Sequence, residues 1–120
     1  MDSQLTIIKP SGHVNASNAY EFQRQLTTAV VSKPSSVLVD MHQVESIDSA
    51  GLMALISAFR MAKIKNQRFS LCSLSPSIRI IFELTQLERV FEIFESYEAF
   101  PPERVFEKFD LMMESATKNI

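Results

Sequence analysis

The 120-residue chain is poor in the residues that most catalytic and ligand-binding motifs need. It has two glycines, Gly12 and Gly51. That is too few for a P-loop or a G-x-G-x-x-G turn, where the backbone wraps a phosphate. Its one cysteine, Cys72, excludes an internal disulfide and fits a reducing cytoplasm. The two histidines, His13 and His42, fall in different turns without cysteine or carboxylate neighbours at metal-ligand spacing. No metal site and no cofactor are expected. Neither sign of charge dominates: 12 Lys and Arg face 14 Asp and Glu, a net charge of -2. The basic face of a nucleic-acid binder is therefore not expected. No apolar run approaches the roughly 20 residues that span a bilayer. Met1-Asp2-Ser3-Gln4 also lacks the basic and apolar regions of a signal peptide.

What is present suits one globular domain. Hydrophobic residues make up 46% and charged residues 22% of the chain, an ordinary soluble balance at a length that supports a core. Leu5-Thr6-Ile7-Ile8-Lys9 reads as a first strand and Pro10-Ser11-Gly12 as a turn, with His13-Val14 extending a short second strand. Asn15 and Ser17 are candidate caps for a helix over about 16–31, with Ala19, Phe22, Leu26, Ala29 and Val30 at helical spacing. Val37-Leu38-Val39 reads as a strand buried on both faces. Residues 40–47 read as a connector.

A second helix is expected over 49–65. Leu52, Leu55, Ile56, Phe59 and Lys63 lie along one face, Met53 and Ala54 widen the stripe, and Asn66 is the candidate C-cap. Residues 69–74 read as a strand with Cys72 as a small core residue. Ser75-Pro76 opens a third helix, with serine at the cap and proline in the first turn. Its buried side is expected to be Ile78, Ile81, Phe82 and Leu84. Phe91 to Phe94 is a candidate edge strand. Strands alternating with helices imply a mainly parallel sheet, with functional groups at the carboxyl ends of strands.

Asp48-Ser49-Ala50-Gly51-Leu52 occupies such a place, between the connector and the second helix. Asp48 or Ser49 can cap the helix. Alternatively, Ser49 can present its hydroxyl for modification where backbone N–H groups favour a phosphate. Spacing alone does not choose between these. A Ser49-His42-Asp40 hydrolytic arrangement is conceivable on paper. However, Asp-Ser-Ala-Gly lacks the leading glycine of a nucleophile elbow, and no enzyme is expected.

The segments Val37-Leu38-Val39-Asp40 and Ser46-Ile47-Asp48-Ser49-Ala50-Gly51-Leu52 resemble the signature of STAS domains, the family of bacterial anti-sigma factor antagonists. The resemblance extends through Ser11 to Ala19, Phe69 to Ile78, and Thr85-Gln86-Leu87 with Val90-Phe91, covering about residues 3 to 100. It implies an α/β, STAS-like fold: a mainly parallel mixed sheet of about four or five strands with helices packed against it. It also implies partner switching. Ser49 matches the serine phosphorylated by a serine kinase that is itself an anti-sigma factor, and a PPM-type serine phosphatase would remove the phosphate. The unphosphorylated form would bind that kinase and release a sigma factor or other target. Asp48, Ser49, Ala50, Gly51, Leu52 and Met53 would shape the docking surface, together with Asn15 in the early loop. Asn15 stands where many members carry aspartate. Ala50 replaces a second serine or threonine, leaving Ser49 as the acceptor.

The STAS-like region is expected over 1–100, and a C-terminal helical extension over 101–120. Pro101-Pro102 interrupts a helix beginning near Tyr97. Val105, Phe106, Phe109, Met112 and Met113 then form an apolar stripe at helical spacing. This stripe suits a helix covering one sheet face, or an interface for a partner or a second copy in a homodimer. The remaining residues, 115–120, are expected to fray. An alternative role follows from the same resemblance: a non-phosphorylated accessory or scaffold subunit of a transporter or signalling assembly, without insertion into the membrane.

Overall fold

Val37-Leu38-Val39 forms the middle of strand β3 (Ser35–Asp40), which is buried along its length except at Asp40. An apolar run without polar alternation suits a strand covered on both faces. The structure, a computed structural model, describes residues 4–32 and 35–99. β3 lies between β1 (Gln4–Ile8) and β5 (Phe69–Cys72), and β6 (Glu92–Phe94) borders β5 as an edge strand. The order is β1-β3-β5-β6 and each pairing is parallel. A second, two-stranded parallel sheet joins β2 (Ser11–Val14) to β4 (Gln43–Ile47). The mainly parallel α/β architecture agrees with the sequence pattern. Among the described residues no strand pair is antiparallel.

β4 corrects the reading of 40–47 as a connector. Its two buried residues, Val44 and Ile47, are three apart, which hides the period of two. The cause is a bulge. Gly12 pairs with Val44 but His13 pairs with Ser46, so Glu45 is the extra residue. Ahead of it, the Met41 side chain is fully buried and its N–H continues the ladder to the Cys72 carbonyl at 2.9 Å.

Three helices cover the sheet: α1 (Ala19–Ser32), α2 (Ser49–Ile64) and α3 (Pro76–Leu84). α1 starts later than expected because Asn15 to Asn18 form a turn of their own. The Asn15 carbonyl accepts from the N–H groups of Asn18 and Ala19. α2 ends where Asn66 takes a left-handed φ of 60° just beyond the C-cap Lys65. Asn66 N–H reaches the Lys63 carbonyl and Gln67 N–H the Ala62 carbonyl, the paired bonds of a Schellman stop. At α3 the expected start holds: Ser75 caps the Ile78 N–H, with Pro76 first in the helix. Its buried side is Ile78 and Phe82, whereas Leu84, expected there, lies in the last turn and is 79% exposed.

The buried face of α2 is Gly51, Ala54, Leu55, Ala58 and Ala62, rotated from the larger residues expected to line it. Leu52, Ile56 and Phe59 are half-buried; Met53 and Lys63 point outward. Small residues on the inner face let α2 sit close to the sheet, and α1 packs beside it. Phe91 links the sheet and helices, its ring centroid 5.0 Å from Phe59 and 5.9 Å from Phe82. Cys72 is a buried core residue. Tyr97–Ala99 forms a 3-10 turn where a helix beginning near Tyr97 was expected. The extension over 101–120, with its apolar stripe, lies outside the described residues.

Candidate functional site

Parallel β2 and β4 end together, at Val14 and Ile47, and the chain turns from each into a helix. The two turns, 15–18 and 48–51, therefore lie side by side at the carboxyl ends of the strands. Asp48 joins them. Its backbone N–H donates to the Val14 carbonyl at 3.1 Å. Its Oδ1 accepts the Gly51 N–H at 3.0 Å, the N-cap bond of α2. Its Oδ2 accepts the Ala16 N–H at 3.1 Å. Both carboxylate oxygens thus hold backbone in place.

The early turn is fastened by its own side chains. Asn15 Oδ1 accepts from the Ser17 N–H at 3.0 Å and the Ser17 hydroxyl at 2.6 Å. Asn18 Oδ1 accepts the Asn15 N–H at 2.9 Å, and its Nδ2 donates to the His13 carbonyl at 2.8 Å. Asn15 is half-buried and serves its own turn before any partner. Asn18 was not singled out in the sequence, although an Asn-x-x-Asn spacing around small residues is strong turn chemistry.

Gly51 is buried, and its role is spatial. A Cβ there would lie 2.7 Å from Ile47 Cγ1, 2.9 Å from Val14 Cγ1 and 3.1 Å from the Val14 carbonyl oxygen. Only a glycine lets the first turn of α2 approach β2 and β4 this closely. Gly51 shapes the surface from beneath without reaching it. Ser49 occupies the first helical position and is exposed. Ala50 is half-buried, Leu52 packs partly against the core, and Met53 stands out with 51% exposure. Asp48, Ser49 and Met53 consequently present polar and apolar groups on one accessible helix start.

The capping ambiguity resolves in favour of Asp48, which leaves the Ser49 hydroxyl unneeded for the cap. The first-turn N–H groups and the positive end of the helix dipole favour an anion near Ser49, while the Asp48 charge opposes one. The Ser49-His42-Asp40 arrangement is not assembled. Asp40 Oδ1 accepts the backbone N–H of His42, not its ring. His42 precedes β4 and Ser49 follows it, so the strand's length of roughly 13 Å separates them. The serine that does meet a histidine is Ser46, whose Oγ lies 2.7 Å from His13 Nδ1 on the exposed bulge beside Glu45. Among the described residues no three His, Cys, Asp or Glu side chains converge as a metal site would require, and no helix is long and apolar enough to cross a membrane.

Comparison with known proteins bears on the whole described fold. The chain is 28% identical over 88 residues to BtrV of Bordetella bronchiseptica, named as an anti-sigma factor antagonist, covering 73% of this chain and 76% of BtrV. The crystal structure of TM1081 from Thermotoga maritima, named as an anti-sigma factor antagonist, superposes with a TM-score of 0.73 at 22% identity, covering 78% of this chain and 81% of TM1081. The anti-sigma factor antagonist SpoIIAA of Bacillus, in its unphosphorylated form, superposes with a TM-score of 0.66 at 16% identity over 88% of this chain and 92% of SpoIIAA. SpoIIAA has been solved in a phosphorylated form as well. A model of the STAS domain family matches residues 2–100, and the chain belongs to that family.

Proposed function

We propose that this protein is an anti-sigma factor antagonist that works by partner switching, with Ser49 as the switch. Unphosphorylated, the surface formed by the 15–18 turn and the start of α2 binds a serine kinase that is also an anti-sigma factor. Phosphorylation of Ser49 by that kinase releases the complex, and a PPM-type phosphatase resets it. The protein performs no catalysis of its own in this cycle. The observation that carries the reading is the division of labour at the start of α2: Asp48 caps the helix, while Ser49 is exposed and spare. The names of BtrV and TM1081 and the two solved forms of SpoIIAA support it.

The test is intact-mass and peptide mass spectrometry on protein isolated from its native cells, before and after PPM phosphatase treatment. A phosphatase-sensitive gain of about 80 Da, one phosphoryl group on a serine, is expected at Ser49 and lost in Ser49→Ala. A bare Ser49 under every growth condition, with the protein held in a stable assembly regardless of Ser49→Ala or Ser49→Asp, would replace this reading with that of a constitutive accessory subunit.

A further inference from the structure

α2 and α3 bury their inner faces in one core, yet they do not pack closely on each other. Phe91 stands between them, its ring centroid 5.0 Å from that of Phe59 on α2 and 5.9 Å from that of Phe82 on α3. A groove floored by Phe91 therefore separates the two helices. Helical spacing identifies its walls. Ile56 and Lys63 lie three and four residues from Phe59, on the same side of α2. On α3, Arg79 reaches Glu95 beyond β6 at 3.7 Å, so that side faces the sheet edge. The other side, with Ile81 and Leu84, faces α2, and Ile80 forms the outer lip. Ile56, Phe59 and Ile81 are half-buried, and Ile80 and Leu84 are exposed. Single exposed apolar residues are ordinary, but several along one groove mark an interaction surface.

The walls carry charge of one sign. Between Asp48 and Glu83 the sequence has no acidic residue, while Arg60, Lys63, Lys65, Arg68 and Arg79 are basic. Arg68 is held by Glu92 and Arg79 by Glu95. Arg60, Lys63 and Arg89, the last on the 3-10 turn Leu87–Arg89, form no ion pair with any described residue. Glu83 shares the Arg79 side of α3, away from the groove, and Glu88 is the exposed carboxylate of the turn. Lys63 Nζ lies 5.7 Å from the Phe59 ring centroid. There the groove opens into a cavity of about 380 Å³ that also reaches Asn66 and Val90.

We propose that the α2–α3 groove is a docking site for an amphipathic helix of a protein partner, apolar on one face and acidic along its flanks. A helix is the shape that fits between two others, with anchors at i, i+3, i+4 and i+7. Those anchors meet Ile56 and Phe59 on one wall and Ile81 and Leu84 on the other. The acidic flanks meet Arg60, Lys63 and Arg89. α3 is nine residues long, about 13 Å, enough to hold two to three turns. A flat anionic membrane fits less well, because much of the apolar surface lies inside a groove and not on a protruding face. The groove does not use Ser49, so this site is independent of the switch.

The test titrates the full-length protein with a synthetic helical peptide of about 14 residues, with leucine at i, i+3, i+4 and i+7 and glutamate elsewhere. Fluorescence anisotropy reads affinity, and amide chemical shifts read location. The same peptide with lysine in place of glutamate, and phosphatidylglycerol vesicles, are titrated alongside. The acidic peptide should bind with shift changes confined to 56–63, 80–84 and 87–91. The lysine peptide should bind at least about tenfold more weakly. Leu84→Asp and Lys63→Glu, both at exposed positions, should each weaken the acidic peptide by about fivefold or more with cooperative unfolding retained. Should Leu84→Asp not fold, Ile80→Asp on the outer lip takes its place. No binding of the acidic peptide, shift changes elsewhere, or affinity that ignores these substitutions overturns the proposal. Equal binding of both peptides also overturns it, since the basic walls then select nothing. Vesicle binding that Lys63→Glu weakens, without peptide binding, assigns the groove to a membrane surface instead.

Discussion

The Asp48 carboxylate reaches across 32 residues of sequence to accept the Ala16 N–H at 3.1 Å, while its other oxygen caps α2 through Gly51. One side chain therefore sets both the helix start and the position of the early turn beside it. Any surface built from the two turns inherits its geometry from this bridge.

Asp48→Ala should cost about 1 kcal/mol for the lost cap, with a further loss from the Ala16 bond. Denaturant unfolding would read the stability. The diagnostic signal is the Ala16 amide, whose hydrogen exchange should accelerate along with that of Gly51. A variant that loses stability while the Ala16 amide stays protected would show that the turn is held without Asp48.

Gly51→Ala sets two effects against each other. Alanine favours a helix over glycine by about 1 kcal/mol. The added methyl would meet Ile47 Cγ1, Val14 Cγ1 and the Val14 carbonyl oxygen, the last being backbone that cannot rotate away. Overpacking of this kind costs typically about 1–3 kcal/mol, so the net expectation is a less stable protein. A gain in the unfolding midpoint would show that β2 yields easily and that the close approach is not required.

Glu92 gives the stability a pH dependence. Burial raises its pKa, but the two-pronged hydrogen bonds from Arg68 at 2.8 Å, the Ser70 hydroxyl and the Arg68 charge outweigh this and leave it lowered. A carboxylate with a lowered folded-state pKa stabilises the protein above its unfolded value, about 4.3, and the contribution disappears as pH falls through the folded value. The Glu92 side chain is 44% exposed, so salt should weaken the effect. Thermal unfolding from pH 3 to 7 should show a shallower acid loss in Glu92→Gln than in the parent. Parallel curves would remove Glu92 from the explanation.

Much of this fold was legible because its elements announce themselves locally. Val37-Leu38-Val39 read as a buried strand, and Ser75-Pro76 marked the start of α3 to the residue. β4 was not legible, because the bulge at Glu45 sets Val44 and Ile47 three apart and a strand then looks like a connector. The inward face of α2 was misjudged for a related reason. Hydrophobic size suggested Phe59 and Ile56, whereas close packing selected Gly51, Ala54, Ala58 and Ala62. At the site, the motif located the helix start, but the choice between Asp48 and Ser49 as the cap needed the Gly51 and Ala16 bonds, which join residues distant in sequence.

The last expectation concerns what a phosphate on Ser49 does to the domain. Near the first turn of α2 it gains from the helix dipole, typically about 0.3–1 kcal/mol, and loses to the adjacent Asp48 charge. These terms oppose each other, and Ser49 is exposed and leaves the cap to Asp48. Ser49→Ala should accordingly shift stability by no more than about 0.5 kcal/mol. Phosphorylation should leave the unfolding midpoint close to that of the bare protein. Amide chemical-shift changes should be confined to the 15–18 turn and the first turn of α2. The switch would then act by adding charge and bulk to a preformed surface. Loss of exchange protection through the whole of α2 on phosphorylation would instead mean that the modification unfolds the helix, and the docking surface would have to be sought elsewhere.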